Sequence, residues 1–262
     1  MERTTSAHHQ GIMIPAQGLA FLLALVIGLS LGALGSGGSI VTLPVLVYVA
    51  HINPKAAVGM SMAIVGATSL VAAFLHWRQG RFHNKAALFL GITGTGGAYL
   101  GSAFTHRFSS SALLLIFSAI MLIVGLVMLR GGFEGLTPGH CRPLRCMAVG
   151  AAVGVVTGFL GVGGGFLIVP ALVLFAGLDT RKAVGTSLAI IALNSFSGLV
   201  GQLRYVAVDW RLTAEFIVLA LGGMLIGFEL TNRLSEPVLR RAFAMLLLVV
   251  AVSVAGAVLF KA

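Results

Sequence analysis

The chain has 262 residues, 58% of them hydrophobic and only 9% charged, with a formal net charge of +10. A soluble domain carries about 25% charged residues; at a mean hydropathy of +1.04 there is too little polar surface here to cover a water-soluble globule, so the solvent must be lipid. The positive balance does not point to nucleic acid. The basic residues lie in loops between apolar runs, where lysine and arginine set membrane orientation.

Taken in order, residues 1–15 form a polar tail. Residues 17–34 are an apolar run, followed by a glycine-rich break and a second run, 40–50. An Asn53-Pro54 turn signal leads to a full-length span over 56–76 and then to a basic loop. Apolar runs at 86–105 and 112–129 follow, and the polar stretch 131–145 closes the first half. The second half repeats the order with runs at 146–160, 166–176, 183–203, 212–231 and 238–260. These runs are long and continuous, unlike the short alternating strands of a membrane barrel, so the expected fold is all-α and polytopic. The expected division is a tail (1–15), a first membrane repeat (16–130), a connecting loop (131–145) and a second membrane repeat (146–262). Residues 1–33 lack a basic leader and a cleavage site, so no removed signal peptide is expected.

The two halves share a motif. Residues 32–44 read GALGSGGSIVTLP and residues 158–170 read GFLGVGGGFLIVP, 126 positions later. The match continues without a gap through Ala57/Ala183, Val58/Val184, Gly59/Gly185, Ser61/Ser187, Ser69/Ser195 and Arg78/Arg204, which argues for internal duplication. As one continuous helix, residues 17–50 would reach about 51 Å, far beyond a hydrocarbon core of about 30 Å. Folding back at the glycines instead gives each half a hairpin plus three spans. That odd count makes the halves inverted-topology repeats. Most of the 17 lysines and arginines then fall on the side of the 131–145 loop, which places that loop in the cytoplasm and both termini outside.

No constellation of an enzyme is present. There is no zinc-protease or hydrolase motif, the glycine runs lack the lysine-serine/threonine ending of a phosphate loop, and the seven carboxylates are scattered. Cys141 and Cys146 with His140 have a poor metal-site spacing. No cofactor and no metal are expected. The glycine runs do suit a binding site. Unpaired backbone amides are tolerated at membrane depth only where they line a cavity or are buried in protein. The helices that start after each break would aim free amides and a positive dipole end at the midplane, a preformed site for a small anion. The candidate binding residues are Gly35, Ser36, Gly37, Gly38 and Ser39 in the first copy, and Gly161, Val162, Gly163, Gly164 and Gly165 in the second. Ser61 and Thr68, seven apart on one face of their helix, and Ser187 and Asn194, equally spaced on the matched helix, add neutral donors, with Gln202 further along. His76 is placed near an interface, and with Arg78 and Arg204 at the span ends it supplies electrostatic steering. A different use of the glycines is tight helix packing, which suits Gly97-x-x-x-Gly101 and Gly223-x-x-x-Gly227 better.

These residues resemble the TauE/SafE family of membrane proteins, taken as exporters of sulfite and organosulfonates. The resemblance rests on the twin glycine motifs, on AAVGMSMAI and KAVGTSLAI after them, and on the late stretch LRYVAVDWR. It implies a permease in the cell membrane that moves a small sulfur-containing anion without nucleotide hydrolysis. Proton or ion coupling and oligomeric state stay open. The alternative is a non-transporting membrane scaffold or assembly factor whose glycines serve packing.

Overall fold

The structure is a computed structural model and describes residues 21–33, 35, 37–130, 143–160, 165–233 and 235–260. Every regular element among them is helical. The first repeat holds α1 (Phe21–Ala33), α2 (Gly37–Pro44), α3 (Pro54–Arg78), α4 (Asn84–Phe104) and α5 (Ser110–Leu129). The second holds α6 (Pro143–Leu160), α7 (Gly165–Ala176), α8 (Thr180–Gln202), α9 (Trp210–Arg233) and α10 (Glu236–Leu259). α6 thus begins within the stretch expected to be loop.

The helix starts are written locally, and they recur at the repeat offset. Asn53 accepts the Lys55 N–H with Pro54 in the first turn, and its counterpart Asp179 accepts from Lys182. His83 Nδ1 accepts from Ala86 and its counterpart Asp209 from Leu212. Each cap satisfies one of the amides that a helix N-terminus leaves unpaired. Pro44 at the end of α2 has no N–H to donate. The next turn, Val45–Val49, widens to a π-helix closed by Ala50 N–H donating to Val45 O at 3.0 Å, a local adjustment consistent with the lost bond.

α3 and α8 form the centre. About 72% of each apolar span is buried, against 33–39% for α5, α9 and α10, whose exposed leucines, valines and isoleucines face outward. Gly66 meets Ser195, Gly185 meets His76 and Gly198 meets Met62, so these matched helices cross antiparallel. α5 and α10 do the same, with Ser118 donating to Ala251 O and Gly125 against Leu247 and Leu248.

The remaining contacts exchange partners between the repeats. Gly28 and Gly32 of α1 lie on the backbone of α9 at Ala220 and Met224; Gly154 and Gly158 of α6 lie on the backbone of α4 at Gly94 and Ala98. From the other side, Gly223 and Gly227 meet α1, while Gly97 and Gly101 meet α6. The two small-residue stripes therefore do what their spacing predicts, but across the repeats. α3, α5, α8, α9 and α10 are long and apolar enough to cross a membrane. α4 is long enough but falls outside that group. Its glycines Gly97 and Gly101 serve close backbone approach to α6, and its Leu88, Ile92, Leu100 and Phe104 are exposed.

Candidate functional site

The first glycine break can be followed residue by residue. Gly35 adopts φ 73° and its N–H donates to Leu31 O at 2.8 Å. This left-handed residue ends α1, and glycine takes that conformation without penalty. Any side chain at Gly38 would run into Ile27 O and Leu31 of α1. In a continuous helix Gly38 would stand about 16 Å from Ile27 along the axis, so the chain folds back and α2 lies against α1. α2 starts at Gly37, α7 starts at Gly165, and the two touch each other. Their first-turn amides have no partner within the helix and carry its positive end. Ser39 is fully buried in that first turn of α2. Ser36, Gly161, Val162, Gly163 and Gly164 lie outside the described residues.

The break is seated on the start of α8. A Cβ at Gly35 would overlap Val184 Cγ1. The next residue, Gly185, faces α3, where a Cβ would stand 3.0 Å from His76 Cβ. The His76 ring meets Phe228 of α9 edge-on at 4.9 Å, and the Phe228 backbone borders Gly32 of α1. Four elements thus converge here: the end of α1, the start of α8, the end of α3 and the middle of α9.

The polar side chains divide into two groups. Ser61 donates to Val58 O at 2.9 Å, Ser187 to Val184 O at 2.8 Å and Thr68 to Ile64 O at 2.7 Å. Their protons are bound to their own helices, so in this state they do not donate to an anion. The second group has no hydrogen-bond partner although fully buried: Asn194 (both amide atoms), His76 (both ring nitrogens), Gln202 (both amide atoms), and the hydroxyls of Ser69 and Ser195. An unpaired buried polar group costs about 1–3 kcal/mol, so these five mark positions spread along the α3/α8 crossing that something else can complete. The set is also symmetric by sequence. Ser69 matches Ser195, His76 matches Gln202, and Asn194 matches Thr68. Because Gly66 faces Ser195, the Thr68/Asn194 pair falls at the middle of the α3/α8 crossing. The Asn194 amide lies over Gly94, where a Cβ would be 2.8 Å from Oδ1.

Ser69 and Ser195 were not among the predicted binding residues. The signal was present, since they are identical residues at matched positions directly after Thr68 and Asn194. His76, two residues from the end of α3 and expected beside the arginines, is 1% exposed and packed within the protein. Arg78 and Arg204 do stand exposed at the helix ends, each over an aromatic ring, Phe74 at 4.7 Å and Tyr99 at 5.8 Å. An exposed cation at a mouth acts on approach more than on affinity. Arg204→Gln is therefore expected to slow uptake severalfold at low salt, to leave equilibrium binding unchanged, and to lose its effect near 1 M salt, where screening reaches about 3 Å. Initial rates at two ionic strengths check this.

Comparison with known proteins places this arrangement. The family described as Sulfite exporter TauE/SafE matches residues 20–254. A probable membrane transporter protein of Xylella fastidiosa is 38% identical over 242 residues, covering 87% of this chain and 91% of its own length. The probable membrane transporter protein YdhB of Bacillus subtilis is 28% identical over 230 residues, covering 86% and 94%. No solved structure matches the chain.

Proposed function

The chain belongs to the sulfite exporter TauE/SafE family and is a multi-pass membrane transporter, and on that premise we propose that it moves a small sulfur-containing oxyanion, sulfite or a sulfonate, outward across the cytoplasmic membrane. Movement proceeds by alternating access around a midplane site at the two glycine breaks, within inverted-topology repeats. The antiparallel crossings of α3 with α8 and of α5 with α10 support the inversion.

The observation that carries the reading is the buried, unpaired polar set on the two central helices, whose His76 end adjoins the seat of the first glycine break. A scaffold has no use for five orphaned polar groups, whereas an oxyanion accepts from such donors. A lysine or arginine at the midplane would hold the anion tightly; neutral donors bind it and let it go. Each hydrogen bond to a charged group contributes about 1.5–3 kcal/mol.

Labelled sulfite flux in liposomes containing the purified chain tests this. Wild type is expected to move sulfite above protein-free vesicles. Asn194→Ala is expected to weaken sulfite affinity about tenfold or more, one such bond's worth. Sulfite flux no greater than in empty vesicles would refute the permease reading.

A further inference from the structure

His76 and Gln202 occupy matched positions at the ends of α3 and α8, both fully buried and both without hydrogen-bond partners. They are chemically unequal. Gln202 donates and accepts but never changes charge, whereas an imidazole takes up a proton in the physiological range. Among the side chains whose burial is described, His76 is also the only acidic, basic or imidazole group that is buried. Its position is not incidental, because Gly185 against its Cβ is adjacent to Val184, on which the Gly35 break rests.

We propose that His76 is the site at which the transporter takes up a proton together with its anion, so that the two move as a coupled pair. This rests on the permease reading above and specifies its coupling ion. Neutral imidazole already carries hydrogen on one ring nitrogen. The other accepts a proton on its lone pair from the aqueous side, and both ring nitrogens then carry N–H donors. No bond to the anion forms. The imidazolium charge is balanced by the anion, and the anion's charge is balanced by the imidazolium in a site with no other buried cation. Each therefore raises the affinity of the other by the same factor, as linkage requires. When the anion leaves, an unbalanced buried charge is expensive, and the proton leaves with it. Gln202 makes the opposite half-site a neutral one, so the proton is carried by one half alone.

The charged surroundings are consistent with a site that holds its proton only when an anion is present. Arg81, whose carbonyl borders Gly185, carries a cation in the adjoining loop. Arg78 on the same helix stacks outward on Phe74. In the α3–α4 loop His83 uses Nδ1 to cap α4, and its N–H donates to Thr186 of α8; Lys85 beyond it is exposed. At the start of α8, Arg181 and Lys182 are exposed, and Lys182 pairs with Asp179 at 3.3 Å. Glu229 beside Phe228 on α9 is exposed, and the described part of α1 has no titratable side chain. Among the described residues no carboxylate pairs with the His76 ring to hold the charge in the anion's absence.

The test compares proton and anion movement in the same vesicles. Wild type and His76→Gln, which copies the residue of the matched half, are reconstituted with a trapped pH dye and labelled sulfite. Sulfite's own protonation is common to both, so the difference between them isolates the protein. Wild type is expected to move about one more proton per sulfite than His76→Gln, counted per sulfite moved so that the weaker sulfite affinity expected of the variant does not enter the comparison. Equal proton counts overturn the inference while leaving the permease reading standing; absence of sulfite flux in wild type overturns the permease reading itself. If His76→Gln is not recovered folded, calorimetry on the wild type decides. Sulfite binding measured in buffers of different ionisation enthalpy should take up about one proton beyond sulfite's own, and zero uptake overturns the inference.

Discussion

Gly35→Ala should reduce sulfite flux to the level of empty vesicles while leaving folded, extractable protein. The residue sits at φ 73°, where a side chain costs about 1–2 kcal/mol. The added methyl would also overlap Val184 Cγ1, and overpacking of this kind costs about 1–3 kcal/mol. Together these costs are large for a local geometry and small against a fold of ten helices. The expected response is therefore a reshaped break and a displaced start of α8 rather than unfolding. The displaced segment carries Val184, Gly185 and Ser187, so both the break and the seat of His76 move. A double variant separates the two causes. Val184→Ala in the Gly35→Ala background removes the overlap but not the backbone strain, and is expected to restore part of the flux. If the double variant is no better than the single one, the Val184 contact is not how the break is held.

Gly227→Leu and Gly101→Leu should each lose most of the folded protein. At both positions a side chain would enter the backbone of the partner helix, Leu29 to Ala33 in one case and Val155 to Phe159 in the other. Membrane helices pack by close van der Waals approach at small residues, and forcing them apart by a leucine's width removes that contact along the whole face. The cost belongs to the exceptional range above about 4 kcal/mol. The control is built into the same helices. Gly222 and Gly96 are likewise matched, and nothing lies within 4 Å of a Cβ at either, so Gly222→Leu and Gly96→Leu should be tolerated. Yield of monodisperse protein in mild detergent reads out all four. Comparable loss at Gly222 would mean that glycine content, not backbone approach, sets stability.

Much of the fold was legible because the chain states it twice. Each of the ten apolar runs corresponds to a helix among the described residues, and the break was visible because a glycine cluster recurs at the same place between apolar runs in both halves. The Asn53-Pro54 turn became a helix cap, as its residue types require. Partner choice was not legible. Nothing in Gly97-x-x-x-Gly101 says that the facing helix belongs to the other repeat, since small residues announce a close neighbour without naming it. The burial of His76 within the protein was also hidden. It lies two residues from Arg78, and proximity in sequence to a charged helix end suggested a group open to approaching ions, whereas the helix turns that side chain inward against Phe228 and Gly185. Ser61, Thr68 and Ser187 looked like ligand donors because a hydroxyl on a polar arc reads the same whether its proton is free or spent on the preceding turn. Only the observed hydrogen bonds separate them from Ser69 and Ser195.

The exchange of partners between halves has a consequence for what either half is by itself. α1 finds its backbone groove on α9, and α6 finds its groove on α4. A single repeat in isolation would leave one such ridge bare and one such groove empty, and its central long helix would lack the antiparallel companion it crosses. Neither half is thus a self-sufficient folding unit. They are interlocked like two clasped hands, and the stretch joining them keeps the pair at matched stoichiometry rather than linking two independent bodies. An ancestral half-length chain of this design would have been obliged to associate with a second copy of itself.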